Sequence, residues 1–396
     1  MLELKGKYST AKVFTDNIDD KTISQIIDLC NEEFTKDSQI RIMPDVHVGK
    51  GSVIGTTMTI KDKVVPNLVG VDVGCGMSVA KLDLKEKKLD FAQLDKIIRK
   101  YVPSGFKIHK KAHPYAKEID WGEVVAPIDF DRARKSIGTL GGGNHFIEVN
   151  KGKKQSIYLV IHSGSRNLGN QVAQHYQKRA YNDLNYKMVE RVRDDLVSDL
   201  MTSGRQAEIQ SELAKLVTPV INKHLAYLQG QGFDDYINDM NIAQKYASLN
   251  RKAMISEITR QMEWNVVEQW ESIHNFIDTK NMILRKGATS ARAGEKLLIP
   301  INMRDGSIIA IGKGNADWNF SAPHGAGRIM SRTQAKNAVK FEDFQNSMKD
   351  VWTTSVHKST IDESPFVYKP MAEIIENIGE TVDIVDVIKP LYNFKA

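Results

Sequence analysis

Histidine, cysteine and aspartate recur in this chain inside glycine-rich turns. The first is Val69-Gly70-Val71-Asp72-Val73-Gly74-Cys75-Gly76-Met77. Its three glycines free the backbone, and Asp72 and Cys75 stand three apart in the turn. A carboxylate and a thiol converging from one loop suit a metal ion; the plainer reading is a tight turn with a buried thiol. The second, Leu140-Gly141-Gly142-Gly143-Asn144-His145-Phe146-Ile147-Glu148, delivers Asn144 and His145 to the start of a strand. Alternation puts Asn144, Phe146 and Glu148 on one face and His145 on the other. The triple glycine lets backbone N–H groups approach phosphate; its plainer reading is a flexible loop. The third, Ile161-His162-Ser163-Gly164-Ser165-Arg166-Asn167, ends an apolar strand, and Arg166 there can grip a phosphate bidentately. A serine hydrolase is set aside, because Ser163-Gly164-Ser165 lacks the Gly-x-Ser-x-Gly elbow.

Two further segments add histidines. Trp270-Glu271-Ser272-Ile273-His274-Asn275 reads as the end of a helical block, where a lone histidine is ordinarily a cap or a core residue. In Ser321-Ala322-Pro323-His324-Gly325-Ala326-Gly327-Arg328, Pro323 fixes the approach and two glycines clear space around His324. The pattern predicts a helix from about Gly327 to Asn337, its positive end aimed at His324, with Arg328 to hold an anion. A neutral imidazole there is a competent nucleophile toward phosphorus. His145, His162, His274 and His324 are four of the chain's ten histidines. A His/Cys/Asp set drawn from distant segments is what a metal site needs, and ligand softness alone favours zinc or iron over manganese.

The elements that must position these residues fall into three blocks. Ser52–Ile60, Gly76–Leu84, His145–Val149 and Ser156–Ile161 read as strands, with helical spacing over Thr22–Phe34 and Phe91–Tyr101. From about 168 to 275 apolar residues recur at helical spacing through Val172–Leu200, Ala207–Leu228 and Phe233–Trp270, and Pro219 is the only proline. Strands return at Leu297–Ile301 and Ser307–Ile311, then a helix at Ala372–Asn377 and a strand at Val382–Ile388. Strands on both sides of a helical block predict a single α+β core over 1–396 with a helical insertion, not tandem domains. With 55 Lys+Arg against 49 Asp+Glu the net charge is +6, mild enough to permit a polyanionic partner without demanding one. Two cysteines exclude a disulfide framework and favour a reducing compartment. No membrane-length apolar run and no signal-like N-terminus are seen, so the expected location is cytoplasmic.

At these residues the sequence resembles the RtcB family of RNA-splicing ligases. The matching segments are Pro44-Asp45-Val46-His47-Val48-Gly49, Gly70–Gly76, Gly142–Phe146, His162–Arg166, His274-Asn275, His324–Arg328 and Tyr392–Lys395, in family order over nearly the whole chain. The resemblance implies an enzyme that joins RNA 3′-phosphate or 2′,3′-cyclic phosphate ends to 5′-hydroxyl ends using GTP, in tRNA splicing or RNA repair. It implies Asp72, Cys75 and His145 as ligands of one Mn²⁺, and Cys75, His162 and His274 as ligands of a second, the Cys75 thiolate bridging. His324 becomes the guanylylated nucleophile. The guanylate falls to Asn144, Glu148, Asn275, Ser307, Gly325, Ala326, Gly327 and Lys395, with His145, Phe146, Ile147, His274, Pro300, Ile301, Asn302 and Met303 in the same segments. Manganese is taken from the resemblance over the zinc that softness favours. An activating protein partner is admitted, and no membrane. One loop departs: Asn302 replaces the family's usual serine, and Arg304-Asp305 add charges. Two other classes stand beside the ligase: a dinuclear-metal phosphoesterase, and a non-catalytic RNA-binding paralogue.

Overall fold

The computed structural model describes residues 1–85, 88–217 and 220–395. The first half contains β1 (Leu2–Lys5), β2 (Thr10–Val13), α1 (Asp20–Cys30), β3 (Ile40–His47), β4 (Ile54–Thr59), β5 (Gly76–Asp83), α2 (Phe91–Tyr101), α3 (Phe130–Ser136), β6 (Phe146–Lys151) and β7 (Ile157–Ser163). Three helices follow, α4 (Arg166–Thr202), α5 (Ile209–Ala214) and α6 (Gln231–Met262). The remainder holds β8 (Asn265–Ile273), β9 (Asn275–Asp278), β10 (Ile283–Lys286), β11 (Lys296–Asn302), β12 (Gly306–Gly312), α7 (Arg332–Ala338), α8 (Phe341–Ser347), α9 (Met371–Ile378) and β13 (Val382–Lys395). The class is α+β.

Two sheets carry the chain, the first mixed through its parallel β2–β3 pair and the second antiparallel along the order given. One runs β1-β2-β3-β4-β10-β9, the other β8-β5-β7-β6-β13-β12-β11. The second curls until its edges meet: the Leu298 N–H in β11 donates to Ser272 Oγ in β8 at 2.8 Å, and Lys296 pairs with Glu268 at 2.6 Å. Curling follows from apolar side chains on both faces. Ile147, Val149, Leu159 and Ile161 point to a core shared with Leu94 and Ile98 of α2 and Met254 and Ile258 of α6. Met77, Val79, Phe146 and Val160 point the other way and meet Leu298 and Ile309 inside the curl. A strand buried on both sides cannot leave either face to water, so the sheet wraps.

α2 begins where the Asp90 carboxylate accepts the Gln93 N–H at 2.8 Å, and buries Leu94, Ile97 and Ile98 at helical spacing. α6 lies across the back of the curled sheet and supplies its polar bracing. Asn250 Oδ1 accepts N–H bonds from Gly138 and Thr139, and its amide donates to Ser163 Oγ and Gly164 O. The fully buried Arg251 guanidinium donates to the carbonyls of Gly74 and Ser163, both at 2.8 Å, and pairs with Glu271. One turn of α6 thus ties together three of the loops singled out above.

Three expected helices differ. The predicted Ala207–Leu228 helix is a short 3₁₀ turn at Gln206–Glu208 followed by α5, and Thr218 and Pro219 lie outside the described residues. The predicted Phe233–Trp270 helix stops at Met262. Glu263 takes a left-handed conformation (φ 52°), and Asn265–Ile273 becomes β8, pairing antiparallel with β5. The β-branched Val266 and Val267 signal that strand. The helix predicted from Gly327 starts at Arg332, capped by Ser331, because Gly327 has φ 78° and Arg328 bridges to Tyr368. The helix thus begins four residues beyond Arg328 and not directly behind His324.

Candidate active site

The convergence begins with β5, β6, β7 and the β8–β9 junction. Cys75 precedes β5, His145 precedes β6, His162 lies near the end of β7, and His274 separates β8 from β9. The Cys75 carbonyl accepts the His274 N–H at 2.9 Å, locking these two backbones together. Cys75 Sγ lies 3.2 Å from His162 Nε2 and 3.6 Å from His145 Nε2. His162 Nε2 lies 3.3 Å from His274 Nε2, and His145 Nε2 lies 2.9 Å from Asp72 Oδ2. Gly164 must lack a side chain, since a Cβ there would collide with the Asp72 carboxylate.

The donor atoms themselves show what the cluster is for. Nδ1 of His145 donates to the Leu140 carbonyl at 2.9 Å, and Nδ1 of His162 to the Asn144 carbonyl at 3.1 Å. Both rings therefore carry a proton on Nδ1; His162 offers the lone pair of Nε2 toward Cys75, while His145 turns Nε2 to the Asp72 carboxylate. Burial, reinforced by neighbouring histidines, drives His162 and His274 well below the usual imidazole range, so they are neutral. Burial and the Asp72 charge push the Cys75 thiol well up. For Asp72 burial acts upward, but the hydrogen bond and charge of His145 outweigh it and hold the carboxyl at about 2. Two imidazoles, a sulfur and an ionised carboxylate converging from distant segments form a donor set that fits a cation, which would take the place of the protons on the thiol and between His145 and Asp72. Among the described residues, Cys75, His145 and His162 bring ligand atoms within 4.8 Å of one another.

Above the cluster opens a cavity of about 320 Å³. Of the residues singled out in the sequence, Asp72, Cys75, Asn144, Phe146, Glu148, His162, His274, Asn275, Pro300, Ile301, Asn302, Met303, Ser307, His324, Gly325, Ala326, Gly327 and Lys395 line it. His145 reaches the cluster from behind the wall. Ile147 is a correction: its side chain points to the opposite face of β6, into the core beneath the sheet, as strand alternation requires. Arg166 stands on the far side of the Asp72–His145 pair. Its guanidinium lies 3.4 Å from His145 Nδ1, and it lines a neighbouring cavity.

His324 follows a short strand, Ser321–Pro323, that pairs with Ala288–Ser290. Its ring lies 4.9 Å from that of His274, centroid to centroid. The buried Asp45 carboxylate accepts from His324 Nδ1 at 2.6 Å and from the backbone N–H groups of His324 and Gly325 at 3.1 and 3.2 Å. Gly327 packs directly on the Asp45 carbonyl, where a Cβ would clash.

At the other end Glu148 is buried against Asn393 Nδ2 (2.7 Å) and Asn150 Nδ2 (3.3 Å), and burial raises its carboxyl to about 7. Lys395 pairs with Glu363 at 2.7 Å, which also accepts from Tyr368 OH at 2.7 Å and pairs with Arg332 at 2.8 Å. Burial acts upward on Glu363, but Lys395 and Arg332 hold it at about 2. Ser307 Oγ is buried without a hydrogen-bond partner among the described residues. The motif reading gave no role to Asp45, His47, Arg251, Arg332, Glu363 or Tyr368. Asp45 and His47 stood in a quoted segment, Pro44–Gly49; the others have no local pattern.

A family model described as tRNA-splicing ligase RtcB matches residues 32–126 and 122–396. Among similar proteins, the RNA-splicing ligase RtcB of Escherichia coli K12 is 31% identical, with 90% of each chain covered. The RNA-splicing ligase RtcB1 of Escherichia coli strain ATCC 25922 is 30% identical over the same shares. The tRNA-splicing ligase RtcB of Aeropyrum pernix is 26% identical, covering 90% of this chain and 87% of its own. These names define a class, ligases that splice RNA. With the model spanning most of the chain, the protein belongs to the RtcB family.

Proposed function

We propose that the protein is an RNA ligase that uses GTP and two Mn²⁺ ions to join RNA 3′-phosphate or 2′,3′-cyclic phosphate ends to 5′-hydroxyl ends, in tRNA splicing or RNA repair. The whole chain is read as one catalytic unit, with α4–α6 as its helical excursion. The observation that carries the proposal is the position of His324, whose ring is oriented by Asp45 and held beside the His162–His274–Cys75 cluster.

Asp72, Cys75 and His145 would hold one ion and Cys75, His162 and His274 the other. When bound, the ions supply positive charge against the phosphates in the cavity. The remaining work belongs to the chain. Asp45 keeps the proton on His324 Nδ1, leaving the Nε2 lone pair for the α-phosphorus of GTP. Nε2–P bond formation accompanies cleavage of the bond to pyrophosphate, which leaves. An oxygen of the RNA 3′-phosphate then attacks the same phosphorus and His324 departs, giving RNA-3′-pp-G. The 5′-hydroxyl of the second end attacks the 3′-phosphate, losing its proton to solvent, and GMP leaves. Glu148, Ser307 and Lys395, which line the cavity, would read the base. An ionised Glu148 suits the donor edge of guanine, and the unpartnered Ser307 hydroxyl supplies a polar contact.

Incubation with Mn²⁺ and α-labelled GTP tests this. Acid-labile label on the wild type, absent from His324→Ala, is the expected result. Label persisting on His324→Ala would overturn the nucleophile. Phosphatase activity without label on the wild type would favour a phosphoesterase.

A further inference from the structure

Phe106 is 95% exposed, yet the backbone that carries it is pinned. The Gly105 N–H donates to Gly141 O at 2.9 Å, Leu140 N–H to Pro103 O at 2.9 Å, and Lys107 N–H to Ser104 O at 3.2 Å. Arg132 donates to the Phe106 carbonyl at 3.4 Å, and the His109 N–H to Lys135 O at 3.0 Å. A large aromatic ring is thus held in water by a braced loop, forgoing the burial it would otherwise gain.

The surroundings are cationic. Lys107, Lys110 and Lys111 are exposed and form no ion pair among the described residues. The acids nearby are already engaged: Asp131 pairs with Lys135, Asp129 caps α3 and Glu257 pairs with Arg260. Phe106, Lys107 and Arg132 line a cavity of about 440 Å³ that Gly142, Gly143 and Arg166 close on the inner side. The same glycine loop continues to Asn144, which lines the reaction cavity. The two cavities therefore share a wall one loop thick.

We propose that the Ser104–Lys111 loop and Arg132 form a platform for a single RNA strand leaving the reaction centre. Phe106 stacks on one base, and Lys107, Lys110, Lys111 and Arg132 meet the phosphates beside it. The proposal rests on the RNA-ligase reading of the neighbouring site. A π-face accepts any base, and unpaired cations track the backbone, so the platform binds without sequence preference.

The test uses the full chain and a 12-nucleotide single-stranded RNA ending in a 3′-phosphate. Phe106→Ala should bind about tenfold more weakly. Phe106→Trp should keep its affinity and show RNA-induced fluorescence quenching beyond that of the wild type. The double variant Lys107→Ala/Lys110→Ala should flatten the dependence of log Kd on log salt by about 0.7 per charge removed. GTP-dependent labelling should be unchanged in all three, which also reports that they fold. Phe106→Ala binding within twofold of wild type, or no added quenching in Phe106→Trp, overturns the platform. Binding is read directly, so added quenching in Phe106→Trp together with a wild type that takes no label sinks the ligase reading and leaves the platform standing.

Discussion

The Asp45 carboxylate lies 2.6 Å from Nδ1 of His324, and the same oxygen accepts the His324 and Gly325 backbone N–H groups. One buried oxygen thus fixes the ring's orientation, its tautomer and the glycine loop behind it. The two residues are 279 positions apart, joined because β3 runs beneath the Ser321–Pro323 strand. Asp45→Asn should leave the fold and metal content intact and keep an amide oxygen against Nδ1, while the negative charge that fixes the tautomer and stabilises the positive ring formed on attack is lost. Uptake of guanylate label should fall by about 10²–10⁴, the scale seen when an orienting aspartate is neutralised in a catalytic triad. Label within tenfold of wild type, with unchanged metal content, would refute this.

Glu148 gives a prediction with two signs. Its carboxyl titrates at about 7 in the fold against 4.5 ordinarily, chiefly because it is buried. If the ionised form receives guanine, KM for GTP should rise as pH falls below about 7, and Glu148→Gln should bind GTP poorly at every pH. Stability goes the other way. A raised carboxyl favours folding when protonated, so the wild type loses stability as pH rises from about 4.5 through 7. Glu148→Gln escapes that loss and should be the more stable protein at pH 8, by on the order of 3 kcal/mol for this shift. Urea unfolding at pH 5 and pH 8 checks it; a variant that is no more stable at pH 8 contradicts the burial argument.

Local pattern made the strands and the ligating turns legible, and three-dimensional bracing stayed hidden. Cys75, His145 and His162 announce themselves because glycine turns and strand ends carry a signature within ten residues, whereas His274, read as the end of a helical block, stood out only through the family resemblance. Alternation correctly separated Asn144, Phe146 and Glu148 from His145, and the same rule excludes Ile147 from the cavity. Arg251 and Glu363 are different. Arg251 sits in a helix whose spacing reads as core, and only the fold shows its guanidinium capping the Gly74 and Ser163 carbonyls. Glu363 is one carboxylate among many until Lys395, Arg332 and Tyr368 surround it. The helix overrun to Trp270 has a further cause: in β8 a sheet partner overrides helical spacing, and spacing alone cannot reveal a partner 190 residues away.

Cys75 touches both halves of the donor cluster, His145 at 3.6 Å and His162 at 3.2 Å. Cys75→Ala should therefore lose both bound metal equivalents together. His145→Ala should lose one and His274→Ala the other, since each stands on one side of the sulfur. Elemental analysis after dialysis against Mn²⁺ decides it. Two equivalents retained by Cys75→Ala would remove the sulfur from the centre.

The structure explains how the chain accommodates its departure at Asn302. Asn302 Oδ1 accepts the N–H groups of Arg304 and Asp305 at 3.0 and 2.9 Å, while its amide donates to Asp305 Oδ2 at 2.8 Å. Arg304 in turn pairs with both Asp305 oxygens. The two added charges cancel inside a closed turn, and neither residue lines the cavity. Arg304→Ala/Asp305→Ala should accordingly change the preference for GTP over ATP by less than about twofold. Ser307 sits across the turn with a buried hydroxyl that has no hydrogen-bond partner among the described residues. Ser307→Ala should raise KM for GTP about tenfold, the loss of one hydrogen bond at ~1.4 kcal/mol, while leaving thermal stability unchanged or slightly higher. A hydroxyl serving the fold would show the reverse, a lower melting temperature with KM unmoved, and that outcome would take Ser307 out of the nucleotide site.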